Sequence, residues 1–418
     1  MNILYLHQYF VPPDGTGGTR SYEFARRLVA RGHKVTIITS SAHTGDSDER
    51  RTVRDLDGIG LVVLPVRYDN KMSNAERIRA FINFAGRAAA EAVRHKADVV
   101  FATSTPLTIA VPGLVARALT RAPMVFEVRD LWPEVPIAMG ALANPLTRAA
   151  ARSLEWAAYH GAREVVALSP GMADGVASTG VSRDRISVIP NGCDIGNFDV
   201  DDTKAKTFVR KLLPDLRDGQ PLISYAGSLG LCHDPGWLVR VAKHMRSIDP
   251  DVRFCLVGKG GLAAEIERDA EAAGVLGENL WMPGPLAKQD VPLLLGGATI
   301  ATSTMLPMPE LEHNSANKFF DGLAAGRPMA INYGGWQSKL LREYGAGVEL
   351  KHADPRGAAE ALAALARDPG RLATCRRGAR ALARDHFDRD SLAEQLEQVL
   401  FRAAGRLPET PRASQAAA

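Results

Sequence analysis

The stretch “LPMPELEHNSANKFFDGLAAGRPMAINYGGW”, residues 306–336, contains the changes between loop, helix and strand on which the fold prediction rests. A polar loop precedes a helix predicted from Asn317 to Gly326, and a Gly-Arg-Pro turn then leads into an apolar strand. Helices that alternate with near-continuous apolar strands are typical of a parallel sheet covered on both faces. The stretch therefore predicts an α/β fold.

The same alternation runs twice along the 418 residues, first over 3–189 and again from 222 onward. The predicted architecture is two doubly wound, Rossmann-like domains that face a central cleft, since ligands bind at the carboxyl ends of parallel strands. We expect an N-terminal domain over 1–198 and a C-terminal domain over 199–385, with a polar linker at 199–206. A C-terminal helix follows over 386–402, for which a return to the first domain is one alternative, and residues 403–418 are predicted to be disordered.

Composition excludes several classes of protein. The net charge of +4 is too small to indicate a nucleic-acid binder, so no nucleic acid partner is expected. The four cysteines form no CxxC pair and no basic leader segment begins the chain, which favours a cytoplasmic protein. Residues 99–116 carry no charge, but Pro106 and Pro112 interrupt them, and we predict a strand, a loop and a helix there rather than a membrane span.

The start of the predicted helix at Asn317 is a candidate phosphate site. The loop before it contains Asn314 and Ser315, and its first turn contains Lys318. A helix N-terminus attracts a diphosphate, and a lysine there adds a full positive charge. Asp321 lies three residues further on the same side, where a carboxylate can accept both hydroxyls of a ribose. The alternative is an ordinary amphipathic helix with a capping loop and a surface ion pair.

A second glycine-containing loop lies within “HQYFVPPDGTGGTRSYEFARRL”, residues 7–28. It joins a predicted strand to a predicted helix and includes Gly17 and Gly18. Glycines at such a turn let backbone N–H groups approach a phosphate, although tight turns also need glycine for conformational reasons alone.

Together these segments resemble the retaining GT-B glycosyltransferases of family 4. That family has two acidic residues separated by seven others before an AAG-x-P turn. Asp321 occupies the second position, and His313 occupies the first, with Glu310 and Glu312 beside it. “VIPNGCDIGNF” (188–198) and “LVGKGG” (256–261) resemble further family motifs. “FEVRDLWPEVPIAMGAL” (126–142) and “NKMS” (70–73) resemble the branch that includes N-acetylfucosamine transferases of O-antigen and capsule assembly.

The resemblance implies retaining transfer of a sugar from a nucleotide-sugar donor, of the UDP-linked N-acetylated deoxyhexosamine type, to a polyprenyl-diphosphate-linked glycan. The nucleotide-sugar is a substrate, and neither a cofactor nor a metal is expected, because the Asp-x-Asp runs at 46–48, 55–57 and 199–201 are predicted to be solvated surface. The family's basic phosphate clamp is missing from “AGSLGLCHDPGW” after Ala226, which makes Lys318 the candidate to neutralise the diphosphate. The substrate-binding candidates are Gly17, Gly18, Gly227, Gly258, Glu312, Asn314, Ser315, Asn317, Lys318 and Asp321.

Arg129, Asp130 and His313 are the candidate catalytic residues. Arg129 and Asp130 follow a predicted strand, and a buried ion pair between these two that only holds the loop is the alternative. Three other functions stay open: a nucleotide-sugar epimerase of the same shape, a catalytically inactive sugar-binding subunit, and a dinucleotide-dependent oxidoreductase. The absence of an acidic residue at the end of the second strand counts against the oxidoreductase.

The segment 71–96 predicts a basic amphipathic helix. It has six cationic and two acidic residues, and an apolar face that includes Ile78, Phe81 and Ile82, with Phe84 off that face. Such a helix can lie on an anionic inner-membrane surface, which would make the protein peripheral there. The alternative is an ordinary helix that packs on the sheet.

Overall fold

The computed structural model describes residues 1–15, 17–46, 48–69, 72–140 and 142–406. The chain divides into two compact units: unit 1 comprises Met1–Ile189 and the chain from Asp390 onward, and unit 2 comprises Pro190–Arg389. Unit 1 thus ends at Ile189 rather than at 198, and unit 2 ends at Arg389 rather than at 385. Residues 70–71 of the NKMS motif and residues 407–418 of the expected tail lie outside the described residues.

Unit 1 is built on a sheet in which eight described strands have the order β3-β4-β2-β1-β5-β6-β7-β8. Neighbouring strands are parallel except β3 and β4, which are antiparallel. The strands are β1 Asn2–Leu6, β2 Lys34–Ser40, β3 Thr52–Leu56, β4 Ile59–Leu64, β5 Val99–Thr103, β6 Met124–Val128, β7 Glu164–Ala167 and β8 Ile186–Val188.

Helices cover both faces of this sheet. Within Met1–Ile189 the described α-helices are α1 Arg20–Ala30, α2 Asn74–Ala92, α3 Ala110–Thr120, α4 Glu134–Ala138, α5 Pro145–Gly161 and α6 Pro170–Ser178. Apolar residues of α2, α3, α5 and α6 form one core cluster with the sheet, and those of α1 pack on the other side. Phe84 of α2, expected off the apolar face that includes Ile78 and Ile82, belongs to the core and is 1% exposed, whereas Ile78 and Ile82 are exposed.

Unit 2 contains six described strands in the order β11-β10-β9-β12-β13-β14, all parallel. These strands are β9 Leu222–Ala226, β10 Arg253–Val257, β11 Leu280–Gly284, β12 Ile300–Ser303, β13 Met329–Ile331 and β14 Gly347–Glu349. The helices are α7 Asp202–Leu212, α8 Gly236–Ile248, α9 Ala263–Ala272, α10 Val291–Gly297, α11 Asn317–Ala324, α12 Gly335–Tyr344, α13 Pro355–Ala366 and α14 Pro369–His386. The prediction of two Rossmann-like α/β domains with parallel sheets is confirmed.

Two connecting segments differ from the expectation. The expected linker 199–206 is mostly the start of α7, because the Asp201 carboxylate accepts a hydrogen bond from Lys204 N (2.9 Å) and Ala205 and Val209 are buried. A final helix, α15 (Arg389–Ala404), places Leu392, Leu396 and Leu400 in the core of unit 1 beside α1. Residues 403–404, expected in the disordered tail, belong to this helix.

Candidate functional site

The loop before α11, in unit 2, is held by its own polar groups. Asn314 Nδ2 donates to the carbonyl of Leu311 (2.8 Å), and Asn314 Oδ1 accepts from Ala316 N (3.1 Å). Asn191 donates twice to Ser315, from its backbone N to Oγ (3.0 Å) and from Nδ2 to the carbonyl (2.6 Å). Both predicted binding residues of the loop, Asn314 and Ser315, therefore have a structural use that fixes where α11 begins.

The first turn of α11 has no side-chain cap. Ala316 occupies the N-cap position, and its methyl side chain cannot accept a hydrogen bond from the N–H groups of the first turn. Asn317, the first helical residue, is half-buried. The first N–H groups of a helix have no partner within the helix and carry partial positive charge. This end of α11 is thus suited to an anion.

Lys318 lies in this uncapped turn and is 8% exposed. Its Nζ has no hydrogen-bond partner among the described residues and lies 5.2 Å from the centroid of the Tyr225 ring. Burial lowers the pKa of Lys318 to about 7. Burial and the Lys318 charge likewise lower the pKa of the neighbouring His233 to about 3, so that imidazole is neutral and Lys318 is the cation of the cluster.

Two glycines, Gly227 after β9 and Gly258 after β10, keep side chains out of the space beside this lysine. A Cβ atom at Gly227 would lie 2.9 Å from Lys318 Cε, and a Cβ at Gly258 would lie 1.7 Å from the carbonyl oxygen of Gly227. Gly258 also has a φ of +152°, which side-chain-bearing residues rarely adopt. The Lys318 side chain therefore extends from α11 to the carboxyl end of β9. The segment that follows β9, residues 227–237, contains no Arg or Lys, so Lys318 places a cation at a position where that segment has none.

Asp321 lies one turn after Lys318 and is half-buried. Burial raises its pKa to about 7, although the charges of Arg389 and Lys288 act in the opposite direction. Lys318 and Asp321 thus lie on one face of α11, and the pKa of each is shifted. Clusters of ionisable groups with shifted pKa values are common at functional sites.

His313 and Glu312 lie in a 3₁₀ turn, Pro309–His313, before the same loop, and both are half-buried. Glu312 packs on the glycine turn that begins α12: a Cβ at Gly334 would lie 3.3 Å from Glu312 Oε1, and one at Gly335 would lie 2.7 Å from the Glu312 carbonyl oxygen. The structure thus brings Glu312, His313, Lys318 and Asp321 to the loop and helix that follow β12.

In unit 1, the loop with Gly17 and Gly18 leads into α1, and Gly17 has a φ of +138°. The buried Arg20 at the helix start donates from Nη2 to Glu127 Oε1 (2.9 Å) and to the carbonyl of Ile189 (2.8 Å). This ion pair anchors α1 to β6. Sequence reasoning missed it, because Glu127 lies within an apolar strand.

Arg129 contacts a histidine that the sequence analysis did not single out. His7 Nε2 lies 3.3 Å from Arg129 Nη1, and His7 Nδ1 lies 2.9 Å from Ser21 Oγ. Burial and the Arg129 charge lower the pKa of His7 well below its usual value, so neutral His7 accepts from Arg129 and donates to Ser21. The position of His7 just after β1 was the available signal.

Asp130 does not form the hydrogen-bonded pair with Arg129 that was considered as an alternative. Its side chain is exposed and accepts from Thr105 Oγ1 (3.3 Å). Arg129 and Asp130 thus lie together after β6, with Arg129 directed to His7.

Comparison with known proteins first defines the class. The two-unit α/β fold is that of GT-B glycosyltransferases, as in the structure of Anabaena Alr3699/HepE in complex with UDP-glucose (TM-score 0.73, 17% identity, 96% of this chain and 100% of that chain). It also matches the structure of WaaG, a glycosyltransferase involved in lipopolysaccharide biosynthesis (TM-score 0.68, 16% identity, 96% of this chain and 99% of that chain).

Sequence comparison matches part of the chain to glycosyltransferases. Residues 15–192 match the model described as “Glycosyl transferase 4-like domain”. The chain is 29% identical over 267 residues to a D-inositol 3-phosphate glycosyltransferase of Xylanimonas cellulosilytica, which covers 59% of this chain. The chain spans only 60% of the length of that relative. These names are those of transferases, and the epimerase alternative is not favoured.

The three Asp-x-Asp runs have local structural contacts in the part of the chain that is described. Asp46 accepts from Thr52 Oγ1 (3.1 Å). Asp55 accepts from Gly58 N (2.9 Å) and Asp57 accepts from Tyr22 Oη (2.5 Å), both at the β3–β4 turn, and Asp201 caps α7. Within the described residues, no group of three or more possible metal ligands occurs. None of the described helices is both long enough and apolar enough to span a membrane.

Proposed function

We propose that the protein is a glycosyltransferase that uses a nucleotide-sugar donor, and that unit 2 binds the donor. The observation that carries this proposal is Lys318: a buried ammonium without a hydrogen-bond partner among the described residues, at the uncapped start of α11. Burying an unpartnered cation costs stability, so a bound anion is the natural compensation.

In this proposal the diphosphate lies at the start of α11. Lys318 Nζ and the first N–H groups of the helix donate to it, and Gly227 and Gly258 allow it to approach the end of β9. Asp321 accepts hydrogen bonds from the ribose hydroxyls. His313 and Glu312 lie nearest the sugar by their order along the loop, and Asn314 and Ser315 hold that loop in place.

The chemistry follows from the leaving group. The bond between the anomeric carbon and the diphosphate oxygen breaks, and a bond forms from that carbon to an acceptor oxygen, whose proton passes to the leaving diphosphate. Fixed positive groups stabilise the charge that develops on the leaving oxygen. We infer retention of configuration, with front-face attack, from the resemblance of the 313–328 segment to the retaining family.

The finer assignment rests on the resemblance of residues 126–142. We propose an N-acetylated deoxyhexosamine, linked to UDP, as the donor, and a polyprenyl-diphosphate-linked glycan of a bacterial surface polysaccharide as the acceptor. In unit 1, we assign Arg129 and Asp130 to acceptor recognition and the Gly17–Gly18 turn to a phosphate group.

The test is a turnover assay of the purified chain with a panel of nucleotide-sugars and a lipid-linked acceptor. Transfer accompanied by equimolar release of the nucleoside diphosphate supports the proposal. Interconversion of the sugar without nucleotide release would identify an epimerase instead. Binding of a donor without either reaction would identify an inactive binding subunit.

We also propose that α2 attaches the protein peripherally to an anionic membrane on the cytoplasmic side. Ile78 and Ile82 are 47% and 64% exposed, one turn apart, and the exposed Arg79 and Arg87 flank them. Exposed apolar residues beside cations fit the interface of an anionic lipid surface.

Vesicle co-sedimentation tests this attachment. The Ile78→Ser/Ile82→Ser variant should lose binding to phosphatidylglycerol vesicles. The variant Val53→Ser/Val188→Ser, which removes two exposed valines elsewhere on unit 1 (59% and 37% exposed), should not. Equal sedimentation of both variants would reject α2 as the contact.

A further inference from the structure

An open pocket of about 880 Å³ lies at the amino ends of β6, β7 and β8 in unit 1. Three segments line it: the end of α3 with Arg117 and Arg121, the α5–β7 turn with His160 and Arg163, and residues 184–185 before β8. It is therefore at the opposite edge of the sheet from Arg129, which follows the carboxyl end of β6.

The pocket contains cations without counterions. The side chains of Arg117, Arg121 and Arg163 are exposed, and among the described residues they form no hydrogen bond or ion pair. A fourth arginine, Arg185, is already used, because its guanidinium donates to the carbonyls of Ala162 and Arg163.

The acidic residues of the pocket are engaged elsewhere. Glu164 pairs with Arg402 on α15 (Nη2 to Oε2, 3.3 Å). A hydrogen bond with Ser182 lowers the pKa of Asp184, so this carboxylate also has a partner of its own. Three guanidinium groups thus converge on one concave surface without compensation from the protein.

Helix dipoles explain only part of this arrangement. Arg117 and His160 lie in the last turns of α3 and α5, where cations are stabilised by about 0.3–1 kcal/mol. Stabilisation by a helix C-terminus does not explain why cations from separate segments line the same pocket, because like charges that are close together repel one another. Guanidinium groups match phosphate oxygens in shape and charge, and a concave cationic surface concentrates anions.

We propose that this pocket binds a phosphate-bearing anion, at a site separate from the donor site of unit 2. The anion is either a soluble phosphate compound or the headgroup of an anionic lipid. The rim supplies a reason to test lipid: Trp156, 57% exposed, stacks on His160 with ring centroids 4.3 Å apart, and Leu119 is 71% exposed.

The experiment measures binding of inorganic pyrophosphate and of phosphatidylglycerol vesicles to the full chain. The test variant is Arg117→Gln/Arg163→Gln. The control, Lys206→Gln/Arg268→Gln, removes the same charge from exposed positions of unit 2. The variant Lys318→Ala separates this pocket from the proposed donor site, which would also bind pyrophosphate.

We expect the test variant to lose affinity about tenfold or more for one of the two probes, while the control and Lys318→Ala keep that component of binding. Loss for pyrophosphate alone identifies a soluble ligand, and loss for phosphatidylglycerol but not phosphatidylcholine vesicles identifies a lipid headgroup. The proposal is overturned if neither probe binds the wild type, or if all of the measured binding survives in the test variant or disappears in Lys318→Ala.

Discussion

Lys318 and Asp321, two residues of the candidate donor site, lower the stability of the folded protein because both are ionisable and at least half-buried. Burial lowers the pKa of Lys318 to about 7 and raises that of Asp321 to about 7, so the fold disfavours the charged form of each. A lysine whose pKa is lowered on folding reduces the stability of the protein at pH values below the pKa of that lysine in the unfolded chain. An aspartate whose pKa is raised on folding reduces stability at pH values above the pKa of that aspartate in the unfolded chain. Neither residue is explained by the needs of the fold.

Replacing Lys318 by methionine should therefore stabilise the protein. Methionine fills a similar volume without a buried charge, and we expect the free energy of unfolding to rise by about 1–3 kcal/mol at pH 6. Urea denaturation measures this. A loss of stability in Lys318→Met would show that the ammonium has a structural partner.

Proton exchange should accompany nucleotide binding. At pH 8 Lys318 is mostly neutral in the free protein, and a diphosphate that requires the ammonium should cause uptake of up to about one proton. At pH 6 Asp321 is mostly protonated, and ribose hydroxyls that donate to its carboxylate should cause proton release.

Calorimetric titration of UDP in buffers of different ionisation enthalpy measures both effects. The sign of proton exchange should reverse near pH 7, and Asp321→Asn should keep the uptake at pH 8 but lose the release at pH 6. Proton exchange that is zero at both pH values would contradict these residue roles.

The sequence identified residues of the candidate site only where they lie close together along the chain. Lys318 and Asp321 were predicted because they are three residues apart at a helix start. The contact between His7 and Arg129 and the Arg20–Glu127 pair were not predicted, because the residues involved are distant in the chain. Only the sheet order brings β6 close to β1, with β5 between them.

At the scale of elements, the central strands were predictable and the edges were not. The strands β5, β6, β9 and β10 lie where continuous apolar runs alternate with helical segments in the sequence, since such runs identify buried strands. The antiparallel β3 was missed because it is a half-exposed edge strand of mixed composition. The cap of α7 by Asp201 turned an apparently polar linker into a helix.

The glycine loop after β10 tests how tightly the elements around the candidate site fit. Gly258→Ala would place a Cβ against the Gly227 carbonyl at a φ of +152°, and we expect it to cost about 1–3 kcal/mol of stability and to weaken UDP binding. The matched control in the same loop is Gly261→Ala, whose Cβ meets no atom within 4 Å. Thermal and UDP titrations of both variants check this, and equal behaviour would contradict it.

At the scale of the whole molecule, the chain visits unit 1 twice. The segments that enter and leave unit 2 run side by side: Cys193 N donates to the Phe387 carbonyl (2.9 Å), and Arg389 pairs with Asp194. Helix α15 then completes the core of unit 1 and adds ion pairs such as Arg31–Glu397 (2.8 Å). The sequence predicted a helix at the position of α15, but the return of this helix to unit 1 was only one alternative. The reason is that the apolar face of a helix does not show against which surface it packs.

A single substitution in α15 should report on unit 1. Leu396 is fully buried, and we expect Leu396→Ala to lower the free energy of unfolding by about 2–5 kcal/mol. Glu394→Ala, on the exposed face of the same helix, should have little effect. Chemical denaturation followed by circular dichroism measures the loss. UDP affinity should be unchanged in Leu396→Ala under native conditions, and a large change would contradict the assignment of the donor to unit 2.

The most direct test of the central claim is the calorimetric titration of UDP into the wild type and Lys318→Met at pH 7. The proposed donor site predicts saturable binding of one UDP per chain, and a loss of affinity of about tenfold to a hundredfold in Lys318→Met, because one charge-assisted hydrogen bond contributes about 1.5–3 kcal/mol. The exposed lysine of α12, as Lys339→Met, is the control that should retain wild-type affinity. Equal UDP affinity in the wild type and Lys318→Met would contradict the claim that this lysine binds the donor diphosphate.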